Sequence, residues 1–194
     1  MEQEQNIAAT KLAIKHYLHQ AKLDWRLLLP AYLLPAMGST LTMYVPSLII
    51  AQILIDFDKK TQGNLSQYIP YILTFIVVWT LGEAVWKIGM HFLIKAQING
   101  SKRLYIDAMK FLLEKDMSFF HNNFAGSLTK KVNDYSYKYV SLNDTFAVNI
   151  FSAYLPIIFA IVILWSYSVW LVVGLIGLMF MTAGFIFPLI KKRQ

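Results

Sequence analysis

The chain is poor in the residues and motifs that build catalytic sites. It contains no cysteine in 194 residues, which excludes disulfide bonds, thiol catalysis and cysteine-based metal sites. The motifs H-E-x-x-H, G-x-S-x-G and G-x-x-x-x-G-K-[ST] are all missing, so the sequence encodes no zinc-protease helix, no serine-hydrolase motif and no nucleotide-binding P-loop. The four histidines are dispersed, and we expect no metal site. No catalytic residues are predicted in this chain.

Charged residues are also few, and hydrophobic residues dominate. Only 15% of the chain is charged, against about a quarter in a soluble domain, and 57% is hydrophobic. The hydrophobic residues fall into four blocks, 27–55, 68–94, 146–165 and 171–190. Each block supplies roughly the 20 residues that a helix needs to cross a bilayer. The sequence therefore predicts an all-α membrane protein with four transmembrane helices. Pro46 lies deep in the first block and predicts a kink there.

The distribution of basic residues predicts the topology. The net charge is +7, and every lysine and arginine except Lys59 and Lys60 lies on one side of a four-span arrangement. The positive-inside rule makes that side cytoplasmic, with both termini inside. Topology explains the basic charge better than nucleic-acid binding, so we expect the lipid bilayer as a partner and no nucleic acid. The expected location is the plasma (inner) membrane of a bacterium.

Residues 1–26 predict a helix lying along the membrane interface. Ile14, Leu18, Ala21 and Trp25 share one face at helical spacing, while Lys15 and Lys22 lie off it. A basic amphipathic helix just before a membrane span is typical of an interfacial segment. The alternative is a short solvated leader.

The second block contains a candidate charge pair and a candidate helix contact. Glu83 and Lys87 are four residues apart, in the order that favours pairing along a helix. An ionisable residue within a membrane segment indicates a functional site, although Glu83 at the interface could simply pair with Lys87. Gly82 and Gly89 lie seven residues apart and predict a close helix contact.

Residues 95–145 form a long basic segment between the second and third blocks. The helical pattern continues past Lys95 without a stop, and reaches Ser118 after about 35 Å. Turn-forming residues follow at 121–126, and a second helical pattern returns toward the third block. The segment predicts two membrane helices extended into the cytoplasm as a helical hairpin, with a short element across its tip.

These features together resemble the transmembrane domain of ABC exporters, the six-helix type that works with a nucleotide-binding domain. That family begins with an interfacial elbow helix and carries a coupling helix at the tip of its first cytoplasmic hairpin. The residues that carry the resemblance are Arg103, Leu104, Leu112-Leu113, Phe119-Phe120-His121, Gly126-Ser127-Leu128, Lys130-Lys131 and Asn133-Asp134. Two departures are lysine where the family often has arginine, at 130 or 131, and a spacing from Gly126 to Asp134 that is one residue shorter than usual.

The resemblance implies a role for each part of the chain. Residues 1–26 would be the elbow helix, and residues 27–194 an incomplete transmembrane domain that lacks two of its six helices, as in a fragment of a longer transporter. The implied coupling residues, which would contact the nucleotide-binding domain, are Ser118, Phe119, Phe120, His121, Asn122, Phe124, Gly126, Ser127 and Leu128.

The resemblance also implies the partners and the activity of a parent protein. They are a nucleotide-binding domain, fused downstream or separate, and a second transporter half in a homodimer or heterodimer. ATP and Mg²⁺ would be cofactors of the full-length protein, an ATP-hydrolysing transporter, and not of this chain. Phe119 and Phe120 could also pack the hairpin tip within the chain. The alternative function is a stand-alone four-helix membrane scaffold or binding protein that uses its basic cytoplasmic hairpin.

Overall fold

The computed structural model describes residues 2–59, 66, 68–122 and 125–191, and no β-strand occurs within these ranges. A π-helical turn joins two of the α-helices. The elements are α1 Glu2–Leu23, α2 Trp25–Met43, α3 Val45–Lys59, α4 Ile69–Leu113, α5 Met117–Asn122, α6 Ala125–Asp144, the π-helical turn Thr145–Phe151, α7 Ser152–Tyr167 and α8 Val169–Lys191.

Three helical segments among the described residues are long and apolar enough to cross a membrane. They are Trp25–Phe57, Ile69–Leu113 and Gly126–Tyr167. This confirms the predicted class of an all-α membrane protein. The helix α8 also contains an apolar stretch, Val169–Thr182, which is shorter than these three segments.

The first of these segments is interrupted near Pro46. Helix α2 ends at Met43 and α3 begins at Val45, so the break lies two residues before the proline. Proline has no backbone N–H to donate to the carbonyl four residues earlier, and its ring clashes with that carbonyl. The sequence had predicted a kink at this place, and the structure puts a short break between two helices there.

Glycines bring α2 and α4 into direct backbone contact. A Cβ atom added to Gly38 would lie 2.7 Å from the Cβ of Trp86 and 2.8 Å from the carbonyl oxygen of Gly82. A Cβ atom on Gly89 would lie 2.7 Å from the Cγ of Pro35. Small residues allow this approach because they remove side-chain bulk from the contact. The predicted contact through Gly82 and Gly89 is confirmed, and its partner is α2.

Helices α4 and α6 form an antiparallel pair beyond the apolar part of α4. The 45 residues of α4 span about 67 Å. Gln97 of α4 donates to the Asp144 carboxylate at 2.6 Å and to the Val140 carbonyl oxygen at 3.4 Å. Nearer the tip, Gly100 of α4 lies against the ring of Tyr139. A residue later in α4 thus meets a residue earlier in α6, and α5 lies where the two legs are joined.

Candidate functional site

A polar layer fixes α2 to α6 just before the π-helical turn. The Tyr32 hydroxyl donates to Asn143 Oδ1 at 2.5 Å, and Asn143 Nδ2 donates to the Tyr139 carbonyl oxygen at 2.8 Å. The Tyr32 ring also stacks on Phe151, with ring centroids 5.3 Å apart. Asn143 is 3% exposed, so its amide depends on these partners rather than on water. The buried Asn143 side chain thus connects α2 with α6, and the Tyr32 ring extends the contact to the π-helical turn.

Substituting Tyr32 by phenylalanine should lower the free energy of unfolding by about 1 kcal/mol, because the buried amide oxygen of Asn143 loses its donor. Reversible unfolding in mixed micelles would measure the change. The matched control is Tyr154→Phe, since Tyr154 is exposed. Equal losses in the two variants would contradict the assigned role of the Tyr32 hydroxyl.

A second polar cluster attaches α1 to α4. The Arg103 guanidinium forms a salt bridge with Asp24, between α1 and α2, and its Nε donates to Gln20 Oε1 at 2.7 Å. Asp24 and Gln20 are buried, whereas the Arg103 side chain keeps 37% of its surface exposed. A carboxylate in a buried position needs such a cationic partner. Arg103 therefore anchors the C-terminal end of α1 to the long helix α4.

Aromatic residues attach the same face of α1 to α6. The Tyr17 hydroxyl donates to the Tyr135 carbonyl oxygen at 2.7 Å, and His16 Nδ1 lies 3.2 Å from the Tyr135 hydroxyl. The Tyr17 ring lies 5.8 Å from the ring of Tyr139. Burial, and then the neighbouring Tyr135 phenol, raise the pKa of Tyr17 to about 12, so its hydroxyl keeps its proton and acts as a donor at neutral pH. We call these contacts, together with those of Arg103, the elbow latch.

The face of α1 that packs against the rest of the chain is not the apolar face seen in the sequence, which stays exposed. Tyr17, Gln20 and Asp24 are buried, while Ile14 is 48% and Leu18 59% exposed. The structure thus packs the polar and aromatic stripe of this helix against the rest of the chain. The latch joins residues that are 79 to 119 positions apart, so no local spacing could have indicated it. In the sequence, Arg103 stands out only as one of the residues that carry the family resemblance.

The hairpin tip is the short helix α5, which begins at Met117. The Phe119 N–H donates to the Asp116 carbonyl oxygen at 2.9 Å, and the Phe119 and Phe120 rings meet edge to face with centroids 5.7 Å apart. Both phenylalanines are half-buried, and Ser118 is exposed. The tip therefore presents part of an aromatic pair beside a polar side chain.

The other predicted coupling residues are divided between two helices. His121 and Asn122 end α5, and Gly126, Ser127 and Leu128 lie in the first turn of α6. Gly126 and Ser127 are exposed, whereas Leu128 is only 7% exposed. Phe124 lies outside the described residues. The described residues that the resemblance implies for the coupling helix thus belong to two helices, and the Leu128 side chain is turned away from the accessible surface.

Glu83 and Lys87 lie one turn apart on α4, as their spacing predicts. The salt bridge formed among the described residues is that of Arg103 with Asp24, so a pairing of Glu83 with Lys87 stays a prediction. Within the described part of the chain, no group of three or more histidine, aspartate or glutamate side chains is placed to hold a metal ion.

Comparison with known protein families assigns the chain to a family. No curated protein and no solved structure matches the chain. The model of the family described as "ABC transporter transmembrane region" matches residues 29–194, which run from within α2 through α8 and include both legs and the tip of the hairpin. On that match, the chain belongs to the ABC transporter transmembrane region family.

Proposed function

We propose that this chain is the transmembrane part of an ATP-driven ABC exporter. It would form part of the substrate pathway and couple ATP hydrolysis in a nucleotide-binding domain to alternating access. Family membership and three long apolar helices support a membrane-embedded transporter domain. The proposal adds α8 as a fourth span, both termini on the cytoplasmic side, and the plasma membrane of a bacterium as the location. The basic residues on one side of the spans support this orientation.

The hairpin tip is the observation that carries the proposal. The legs α4 and α6 are held together by Gln97 and by the close contact of Gly100 with Tyr139. The short helix α5 lies at the far end of this pair and carries the paired rings of Phe119 and Phe120. A stiff pair of helices with an aromatic helix at its end is suited to transmit motion from a docked partner.

The mechanism follows from this lever geometry. The chain has no P-loop, so ATP and Mg²⁺ would be held by a nucleotide-binding domain, fused downstream or separate. Closure of two such domains on each other would move α5, and the α4–α6 pair would carry the motion to the membrane helices as a rigid body. Two docked states with different contacts at the tip would then favour openings on opposite sides of the membrane. A second half, identical or different, would complete the pathway.

The test is alanine substitution of the tip phenylalanines in the complete transporter. Phe119→Ala and Phe120→Ala should each lower transport-coupled ATP turnover several-fold, because aromatic residues tend to dominate the energy of docking contacts. Substrate-stimulated ATP hydrolysis in proteoliposomes is the measurement, with membrane insertion checked in parallel. Tyr137→Ala is the matched control, since Tyr137 is a 70% exposed aromatic residue in α6, away from the tip. Unchanged coupling in both tip variants would exclude α5 as the coupling element.

A further inference from the structure

We infer that α1 binds anionic lipid headgroups of the adjoining leaflet through one stripe of basic side chains. The stripe consists of Lys11, Lys15 and Lys22 on α1 and is continued by Arg26 in the first turn of α2, and all four side chains are exposed. The inference concerns a lipid surface, and it holds whether or not the chain takes part in ATP-driven transport.

Helix α1 contacts both legs of the hairpin, and these contacts fix its direction. The C-terminal end of α1 contacts Arg103 on α4, and one to two turns earlier His16 and Tyr17 contact Tyr135 on α6. Contacts with each leg thus extend over no more than about one turn, since Tyr17 also meets Tyr139, one turn from Tyr135. A helix running along a leg would contact it over several turns instead. Helix α1 therefore crosses the hairpin axis. If the hairpin stands perpendicular to the membrane, α1 lies roughly parallel to the membrane surface.

Helix α1 has a buried, an apolar and a basic face. Successive residues are rotated by about 100°, and Tyr17 marks the side buried on the hairpin. Ile14 and Leu18 fall within an arc of about 40°, roughly a quarter turn from Tyr17, and both are exposed. The three lysines of the stripe occupy the next arc of about 40°, on the side away from the hairpin. Buried, apolar and basic faces thus follow one another over half of the helix circumference, and the exposed Leu12 and Leu23 lie on the other half.

The faces of α1 have different surroundings. The exposed Trp25 follows α1 closely and begins the first segment able to cross a membrane, so the apolar arc leads into the apolar surface of that segment. An interfacial helix places such an arc among the acyl chains. The basic arc then lies at the level of the headgroups, where cationic side chains extend toward phosphates.

The positive charge of the basic stripe is not balanced by acidic side chains nearby. Asp24 is the acidic residue between positions 10 and 26, and its carboxylate is engaged by Arg103. Within the described residues none of the four stripe cations has an ion-pair partner, although the Arg26 guanidinium lies 5.7 Å from the centroid of the Trp25 ring. Four unneutralised cations beside an apolar arc match an anionic lipid surface in both charge and polarity.

The test measures which lipids contact Trp25. The full chain is placed in nanodiscs of phosphatidylcholine and phosphatidylglycerol, with bromine on the acyl chains of one lipid or the other. Subtracting the fluorescence quenching of a Trp25→Phe variant isolates the contribution of Trp25 from those of the other tryptophans. We expect brominated phosphatidylglycerol to compete for this site at least about threefold better than brominated phosphatidylcholine, with the preference reduced at high salt.

Charge-matched variants decide the origin of the preference. Lys11→Gln/Lys15→Gln/Lys22→Gln should abolish it. The control triple variant Lys102→Gln/Lys130→Gln/Lys131→Gln removes three exposed charges from the hairpin and should retain it. Equal quenching by the two lipids in the wild-type chain would overturn the inference, as would loss of the preference in the control variant alone. Displacement by soluble glycerol phosphate would show a site for free phosphate and would overturn the assignment to lipid.

Discussion

Leucine in place of Gly38 should destabilise the helix bundle by about 3 kcal/mol. An added Cβ would lie 2.8 Å both from the Gly82 carbonyl oxygen and from the Trp86 backbone nitrogen. These are backbone atoms of α4, so a rotamer change cannot relieve the overlap, and α2 would have to move away from α4. The separation would also open the contact of Gly89 with Pro35, which lies on the same pair of helices. We expect a lower midpoint of thermal unfolding in detergent, with helicity followed by circular dichroism.

The control for this variant is leucine at Gly174. A Cβ added there would meet no atom within 4 Å, so Gly174→Leu should unfold close to the wild-type temperature. Both substitutions replace a helical glycine and carry the same change in intrinsic helix propensity. Their difference therefore isolates the contact between α2 and α4. Similar midpoints for the two variants would show that Gly38 is not at a restrictive contact.

Removing the Arg103 side chain should cost about 2 kcal/mol of unfolding free energy. Arg103→Ala leaves Asp24 as a buried carboxylate without its cation, and Gln20 without its donor. Removing one partner of a fully buried ion pair costs about 3–5 kcal/mol of unfolding free energy. The expected loss is smaller here because the Arg103 side chain is 37% exposed and solvent weakens the interaction. Lys102→Ala is the matched control, because Lys102 is an exposed neighbour on the same helix. Reversible unfolding in mixed micelles is the measurement.

A second substitution tests the cause of this loss. Asp24→Asn in the Arg103→Ala background removes the unpaired charge and should recover part of the lost stability. A simple loss of arginine packing would give no recovery, and the two substitutions would then be additive. Equal effects of Arg103→Ala and Lys102→Ala would show that the salt bridge contributes little.

The sequence predicted the features that depend on local patterns. Apolar blocks of bilayer length become helices because lipid leaves the backbone no partner other than itself. The break near Pro46 follows from the missing N–H of proline, and the contact through Gly82 and Gly89 follows from their size. Each of these results depends on a few neighbouring residues, so the chain alone was sufficient to predict it.

Features that depend on distant residues could not be predicted in the same way. The face of α1 that is buried was not predictable, because Tyr17, Gln20 and Asp24 acquire partners only when α4 and α6 are in place. The π-helical turn Thr145–Phe151 also has no sequence signal of its own. At the tip, the position of the turn was predicted, but not the division of 118–128 into two helices.

The elbow latch has a consequence for the order in which the protein is made. The α1 helix leaves the ribosome before its partners Arg103 and Tyr135, which are synthesised about 80 and 120 residues later. Until then the polar stripe of α1 lacks the partners that bury it in the folded chain. Helix α1 therefore reaches its final position only after the two legs of the hairpin have come together. Docking of α1 thus marks the completion of the hairpin during biogenesis.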